Sequence, residues 1–330
     1  MTKKRLHPLA IIFIAAVVCL CVTFIVLYAF VGLRYINDKT MELKFIGRVQ
    51  NGVPVSGKLY YYDGRVGELD AVKKTITTDV GDKYIGGLSG YRPHGKGILT
   101  KADGTIFEGD FYEGYCTGQA TITYTGGDIY SGHVDHEKRE GFGKYLKPDG
   151  TVYVGNFKNG EKNGFGKTTF SDGSIYLGEY SDSIKHGKGA YLFSEGDLFI
   201  GDFYQDKRTG KGIYLWAKSE EYSSEFDSLF DIEPTDEFKS SFLAYFEGDF
   251  ARHFYDSEKT DATTTNQFFI SFEEIIKRTQ LEIYIGDFVE NEMSGEGKYR
   301  WLSGRVYTGR FEKGAVLKEE NIINSESEEN

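Results

Sequence analysis

A chain of 330 residues with 41 glycines, 24 tyrosines and 25 phenylalanines, against 5 prolines and 3 methionines, suits turns and flat aromatic packing rather than ordinary helices. Its formal net charge of −11 repels nucleic acid and anionic lipid headgroups, and no run of basic residues overrides that field. Three cysteines, with Cys19 and Cys21 inside an apolar run, exclude an internal disulfide framework and every Cys/His zinc spacing.

Lys3, Lys4 and Arg5 precede an uncharged, overwhelmingly apolar run at 8–33. As a helix, this run is long enough to cross a bilayer core of about 30 Å. It exceeds the h-region of a secretory signal, and no small-x-small cleavage site follows it cleanly. The expectation is an uncleaved transmembrane helix at 8–33 after a short tail at 1–7. The positive-inside rule then puts the tail in the cytoplasm and the rest of the chain outside the cell membrane.

Residues 34–83 read as a linker and N-terminal cap that holds an off-register repeat, from Phe45-Ile-Gly47 to Asp63-Gly64. A strict period begins at Tyr84. The pattern aromatic-x-Gly starts at Tyr84, Phe107, Tyr130, Tyr153, Tyr176 and Phe199, each 23 residues after the last, and returns with the same interval at Tyr284 and Tyr307. Gly-x-Gly recurs in phase, as in Gly164/Gly166, and Asp-Gly or similar pairs follow it at hairpin-turn positions. In a strand, Tyr153, Gly155 and Phe157 share a face with Gly164, Gly166 and Thr168. The glycines there leave room for a ring to lie on bare backbone. Val154, Phe165 and Lys167 are expected on the other face, in solvent.

The run Gly166-Lys167-Thr168 looks like the tail of a phosphate-binding loop, but Glu161 stands where that motif needs glycine and a strand follows where it needs a helix. Sister repeats carry Ile98, Thr121, Lys144, Ala190, Ile213 and Lys298 at the place of Lys167, which makes it a surface choice. His94 and His186 fall at one repeat phase without further ligands, so neither metal nor cofactor is expected. No convergent acid, base or nucleophile appears, and no catalytic residue is assigned.

These units resemble the MORN repeat family, written roughly YxGxFxxGxxxGxGxhxxxDG, from about Tyr84 to Gly314. The resemblance implies one β-hairpin per repeat, stacked into an elongated antiparallel sheet. It also implies a scaffold, protein-binding or membrane-tethering role. The expected fold is therefore mostly β: a transmembrane helix, then a single-sheet array of hairpins with one or two short helical insertions. Regular repeats occupy 84–216, and C-terminal repeats occupy 284–317.

Between them, Tyr222 falls one period after Phe199, and Phe246-Glu-Gly248 looks like another start. Residues 217–283 thus read as degenerate repeats with insertions. One insertion sets Phe268, Phe269, Phe272, Ile275 and Ile276 on a helical stripe. These segments are expected to cap the aromatic face of the sheet. The alternative is a partner-binding groove built from Trp216, Phe226, Phe230, Phe268, Phe269, Phe272 and Trp301. The acidic stretch at 318–330 is expected to be disordered. The functional expectation is a non-enzymatic, membrane-anchored scaffold for an unidentified protein partner, with no nucleic acid involved; the alternative ligand is an envelope glycan or lipid held by the aromatic face.

Overall fold

The computed structural model describes residues 8–217, 220–254, 264–278, 281–317 and 322–323. The expected tail at 1–7 and most of 318–330 lie outside the described residues. The chain divides into two compact units, Met1–Thr125 with Val134–Glu137, and Gly126–His133 with Lys138–Asn330.

The first unit opens with α1 (Pro8–Ala29). Its stretch Ile12–Ala29 has a mean hydropathy of 2.9 and buries nothing, which makes it long and apolar enough to cross a membrane. Nine strands follow: β1 (Leu33–Asp38), β2 (Leu43–Gln50), β3 (Val53–Tyr61), β4 (Val66–Asp70), β5 (Thr75–Thr78), β6 (Lys83–Ser89), β7 (Arg92–Thr100), β8 (Ile106–Tyr112) and β9 (Tyr115–Thr123). Each pairs antiparallel with the next. The off-register repeat is a hairpin of the same kind as the regular ones: Gly47 faces Gly57, and the ring of Phe45 is fully buried across them.

Strand β10 (Ile129–Asp135) contributes its residues up to His133 to the second unit, which continues with β11 (Lys138–Leu146), β12 (Val152–Lys158), β13 (Glu161–Thr169), β14 (Ile175–Ser181), β15 (Ile184–Leu192), β16 (Leu198–Tyr204) and β17 (Lys207–Trp216). After a helical excursion come β18 (Glu282–Val289), β19 (Glu292–Arg300), β20 (Val306–Glu312), β21 (Ala315–Val316) and β22 (Ile322–Ile323). Within the acidic stretch expected to be disordered, Ile322 and Ile323 pair with Tyr307 and Val306.

From β11 to β20 one line of glycines crosses every strand: Gly143, Gly155, Gly166, Gly178, Gly189, Gly201, Gly212, Gly286, Gly297 and Gly309 are successive partners. The repeat tyrosine lies along this line. A Cβ on Gly166 would sit 2.5 Å from the ring of Tyr153, which is buried. Its hydroxyl donates to the carbonyl of Asn156 at 2.8 Å, where the ladder shifts register between Gly155 and Phe157. Tyr84, Tyr130, Tyr176, Tyr284 and Tyr307 donate to the carbonyl three residues on in the same way. Burying a ring and its hydroxyl together requires that bond, so glycine and bulge belong to one device.

Gly164 has a different role from the expected one. Its φ is +83° and a Cβ there would meet nothing closer than 3.7 Å, so backbone conformation rather than a ring selects glycine. The tight turns are also displaced from the Asp-Gly pairs. Two consecutive left-handed residues, as a two-residue hairpin turn needs, occur at Asn159-Gly160, Asp182-Ser183 and Gln205-Asp206. Asp149 instead uses its carboxylate to accept the Thr151 N–H at 2.8 Å, and only Gly150 turns left-handed.

Between Trp216 and Glu282 the described residues form no strand, and Phe246 starts no repeat. Strand β17 pairs directly with β18, Gly212 opposite Gly286, so the intervening chain leaves the ladder and returns without interrupting it. It forms α2 (Glu220–Leu229), α3 (Asp236–Glu247), a short 3-10 turn (Asp249–His253) and α4 (Gln267–Arg278). Thr235 caps α3 by accepting the Phe238 N–H, with Asp236 and Glu237 in the first turn. Tyr222 falls in α2, and Phe246 lies buried in α3.

The helices cover the face opposite the tyrosines, not the aromatic face. Leu177, Ala190, Ile200, Ile213 and Ile285 are successive cross-strand partners at the variable positions of their repeats, and all but the half-buried Ile285 are fully buried beneath Phe226, Phe242, Phe269 and Phe272. Phe165, expected in solvent, is buried with its ring 5.1 Å from that of Phe242. Lys167 donates to the carbonyls of Phe230 at 3.2 Å and Ile232 at 2.7 Å, closing the chain that leaves α2. Neither residue is a free surface choice: the apolar row needs a cover, and Lys167 ties that cover down.

Candidate interaction surface

The residues proposed from sequence as a groove do not come together as one. Phe226, Phe230, Phe268, Phe269 and Phe272 are buried between the helices and the sheet. Trp216 and Trp301 lie on the tyrosine face, half-buried.

On that face the second unit carries a continuous chain of half-buried rings. Phe170, Tyr191, Phe193, Tyr214, Trp216, Tyr299 and Trp301 follow one another with centroids 4.5 to 6.1 Å apart. Their hydroxyls are held: Tyr191 by Ser174 at 3.1 Å, Tyr214 by Asp197 at 2.8 Å, and Tyr299 by Glu282. Burial, then the neighbouring carboxylate, raises the Tyr214 and Tyr299 hydroxyls well above the ordinary phenol range, so both remain donors.

Beside the rings runs a row of cations. Arg139, Lys162, Lys185 and Arg208 occupy one phase of four consecutive repeats, on β11, β13, β15 and β17. Each lies over a ring: Arg139 is 4.6 Å from the centroid of Tyr145, Lys162 4.7 Å from Tyr153, Lys185 4.8 Å from Tyr191 and Arg208 5.2 Å from Tyr214. The outer two meet tyrosines that are hydrogen-bonded to Asp128 and Asp197. At the corresponding places between them stand Thr151 and Ser174, which carry no charge. The ammoniums of Lys162 and Lys185 make no hydrogen bond or ion pair among the described residues, and the carboxylate acting on both is that of Asp206 in the neighbouring turn. Burial, followed by repulsion from Lys147 and Arg139, pushes Lys162 down to about 8; burial also lowers Lys185 and Arg208. Charge is thus left uncompensated in the middle of the row.

The first unit offers a contrast. A pocket of about 360 Å³ there is lined by Met41, Tyr61, Tyr84, Tyr91, Arg65 and Lys101 among others. Its cations are already paired, Arg65 with Asp63 and Asp82, and Lys101 with Glu137.

The MORN repeat model matches seven times, at residues 84–106, 107–129, 130–152, 153–175, 176–198, 199–220 and 284–304. The chain belongs to the MORN-repeat family. No curated protein is similar in sequence. Among solved structures, a SAS-4 (dCPAP) TCP domain of Drosophila melanogaster in complex with a proline-rich motif of Ana2 is 14% identical, over 58% of this chain and 89% of that one, with a TM-score of 0.26. The TCP10 domain of Danio rerio CPAP in complex with a peptide of STIL is 11% identical, over 82% and 94%, with a TM-score of 0.27. These alignments are too loose to carry a functional inference.

The MORN periodicity also hid two features from a linear reading. No basic run marks this row, because its cations are spaced one per MORN repeat and meet only when the repeats stack. Likewise the apolar row under the helices comes from the variable positions Leu177, Ala190, Ile200 and Ile213, which in other MORN repeats hold Glu108, Thr121, Ser131 or Lys144. The apolar row spans two repeat columns, one with Leu177 and Ile200 and one with Ala190 and Ile213, so neither column alone displays it.

Proposed function

We propose that the protein is a membrane-anchored, non-enzymatic interaction scaffold whose MORN repeats dock a protein partner on the tyrosine face of the second unit. The observation that carries this reading is an asymmetry between faces. One face is sealed by helices α2, α3 and α4, whereas the other keeps seven half-buried rings in contact with one another and no cover among the described residues. Contiguous amphipathic rings suit protein recognition because they add contact area at low entropic cost. Helix α1 supplies the anchor, and the cations before it favour an extracytoplasmic repeat domain.

The test is chemical crosslinking in the native envelope followed by purification of the full-length protein. A discrete protein adduct is expected, and it should disappear when Trp216, Tyr299 and Trp301 are replaced together by alanine while the fold survives. Recovery of wall glycan or lipid alone would replace this reading with the glycan or lipid one. Protease added to intact cells should remove the repeat domain; full protection would refute the topology.

A further inference from the structure

We propose that the ligand of the cation row is an extended, acidic protein segment with a carboxylate at every third residue, bound across the strands by Arg139, Lys162, Lys185 and Arg208. This rests on the scaffold reading above and names the chemistry of its partner.

The spacing carries the inference. The four cations stand on alternate strands, and two strand-to-strand steps cover about 9.6 Å. Three residues of a polyproline II segment advance about 9.3 Å, and three of an extended chain about 10 Å. A segment laid along the row therefore brings positions i, i+3, i+6 and i+9 to successive cations. Charge points the same way. In a chain of net charge −11, this row is an exception, and its two central ammoniums have rings beneath them but no carboxylate bonded to them. An ammonium sunk among rings gains more from an incoming carboxylate than one in open water. A lipid surface fits less well: the ammonium heads lie down among rings, and the surrounding negative field opposes an anionic bilayer.

Asp206 sharpens the prediction. It is the carboxylate that acts on both central lysines, and it accepts the Lys185 backbone N–H at 3.0 Å. Its carboxylate competes with the ligand, whereas an asparagine keeps the hydrogen bond and the left-handed turn.

The test uses the full-length protein in neutral-lipid nanodiscs and two twelve-residue peptides of identical composition in a proline and alanine background. One peptide has glutamates at positions 1, 4, 7 and 10, set by that three-residue rise; the other has them contiguous. The spaced peptide should bind at least about ten-fold tighter, and Lys162→Gln with Lys185→Gln should remove that preference. Asp206→Asn should instead tighten binding several-fold, a gain that structural damage cannot mimic. Equal binding of both peptides, or affinity unmoved by all three substitutions, would overturn the proposal. So would binding of anionic vesicles in place of either peptide. If the envelope crosslink still depends on Trp216, Tyr299 and Trp301 while the peptides fail, the scaffold stands and only its ligand chemistry is wrong.

Discussion

At the scale of single residues, glycines in one repeat do different work. Gly166 lies under a buried ring with only 2.5 Å available to a Cβ, while Gly164 has open space and a left-handed backbone. Gly166→Val should therefore lower unfolding stability by about 2–3 kcal/mol through overpacking. Gly164→Ala should cost about 1 kcal/mol through backbone strain alone. Lys167 and Lys144 occupy equivalent positions, yet only Lys167 holds the carbonyls of Phe230 and Ile232. Lys167→Ala is predicted to cost about 1 kcal/mol and Lys144→Ala a few tenths at most, measured by denaturant unfolding. The repeat alignment made the two lysines look interchangeable because it records the strand they sit on, not what crosses above it.

At the scale of elements, the helical excursion is a cover that the ladder does not need for its own continuity. Replacing the segment between Trp216 and Glu282 with a short turn should leave β17 paired with β18, since those two residues already face each other. The shortened protein should retain its strand signal in circular dichroism but bind a hydrophobic dye and aggregate, because Leu177, Ile200 and Ile213 become exposed. Changing those three to threonine should restore solubility; loss of strand signal in that variant would show that the helices hold the ladder together.

Beneath the helices, the Glu273 carboxylate accepts the Tyr245 hydroxyl at 2.6 Å and lies 2.8 Å from His253 Nε2. Burial alone would raise its pKa, but His253 and Tyr245 together hold it below the ordinary value. The unfolded chain therefore takes up the proton first as pH falls. The contribution is complete above the ordinary carboxylate range and is lost as pH drops through it toward the folded-state value. Glu273→Gln should give a shallower loss of stability on the acid side than the parent protein; identical pH profiles would contradict this.

The same elements show which parts of the fold a linear reading can reach. Period and glycine phase were readable because each repeat restates them. The Phe268, Phe269, Phe272 and Ile275 stripe was readable because a helix prints its own spacing. Which face that stripe covers was not, since it depends on the cross-strand row of Leu177, Ala190, Ile200 and Ile213, whose members are 10 to 13 residues apart in sequence. Phe246-Glu-Gly248 copied a repeat start without the Gly-x-Gly partner strand that makes such a start pair.

At the scale of the whole molecule, α1 is an apolar helix suited to a membrane, and the remaining chain is strongly acidic, with a basic row among half-buried rings whose two central lysines bond no carboxylate among the described residues. The central claim is that the tyrosine face of the second unit, and not the helix-covered face, meets the partner. Site-specific photocrosslinking in the native envelope tests it most directly, with the reactive group placed at Phe193, half-buried beside Tyr191 and Tyr214 on the tyrosine face, or at Ser240, exposed on α3. A discrete protein adduct is expected from position 193 and none from position 240. An adduct from position 240 alone would contradict it and move the docking surface to the helices.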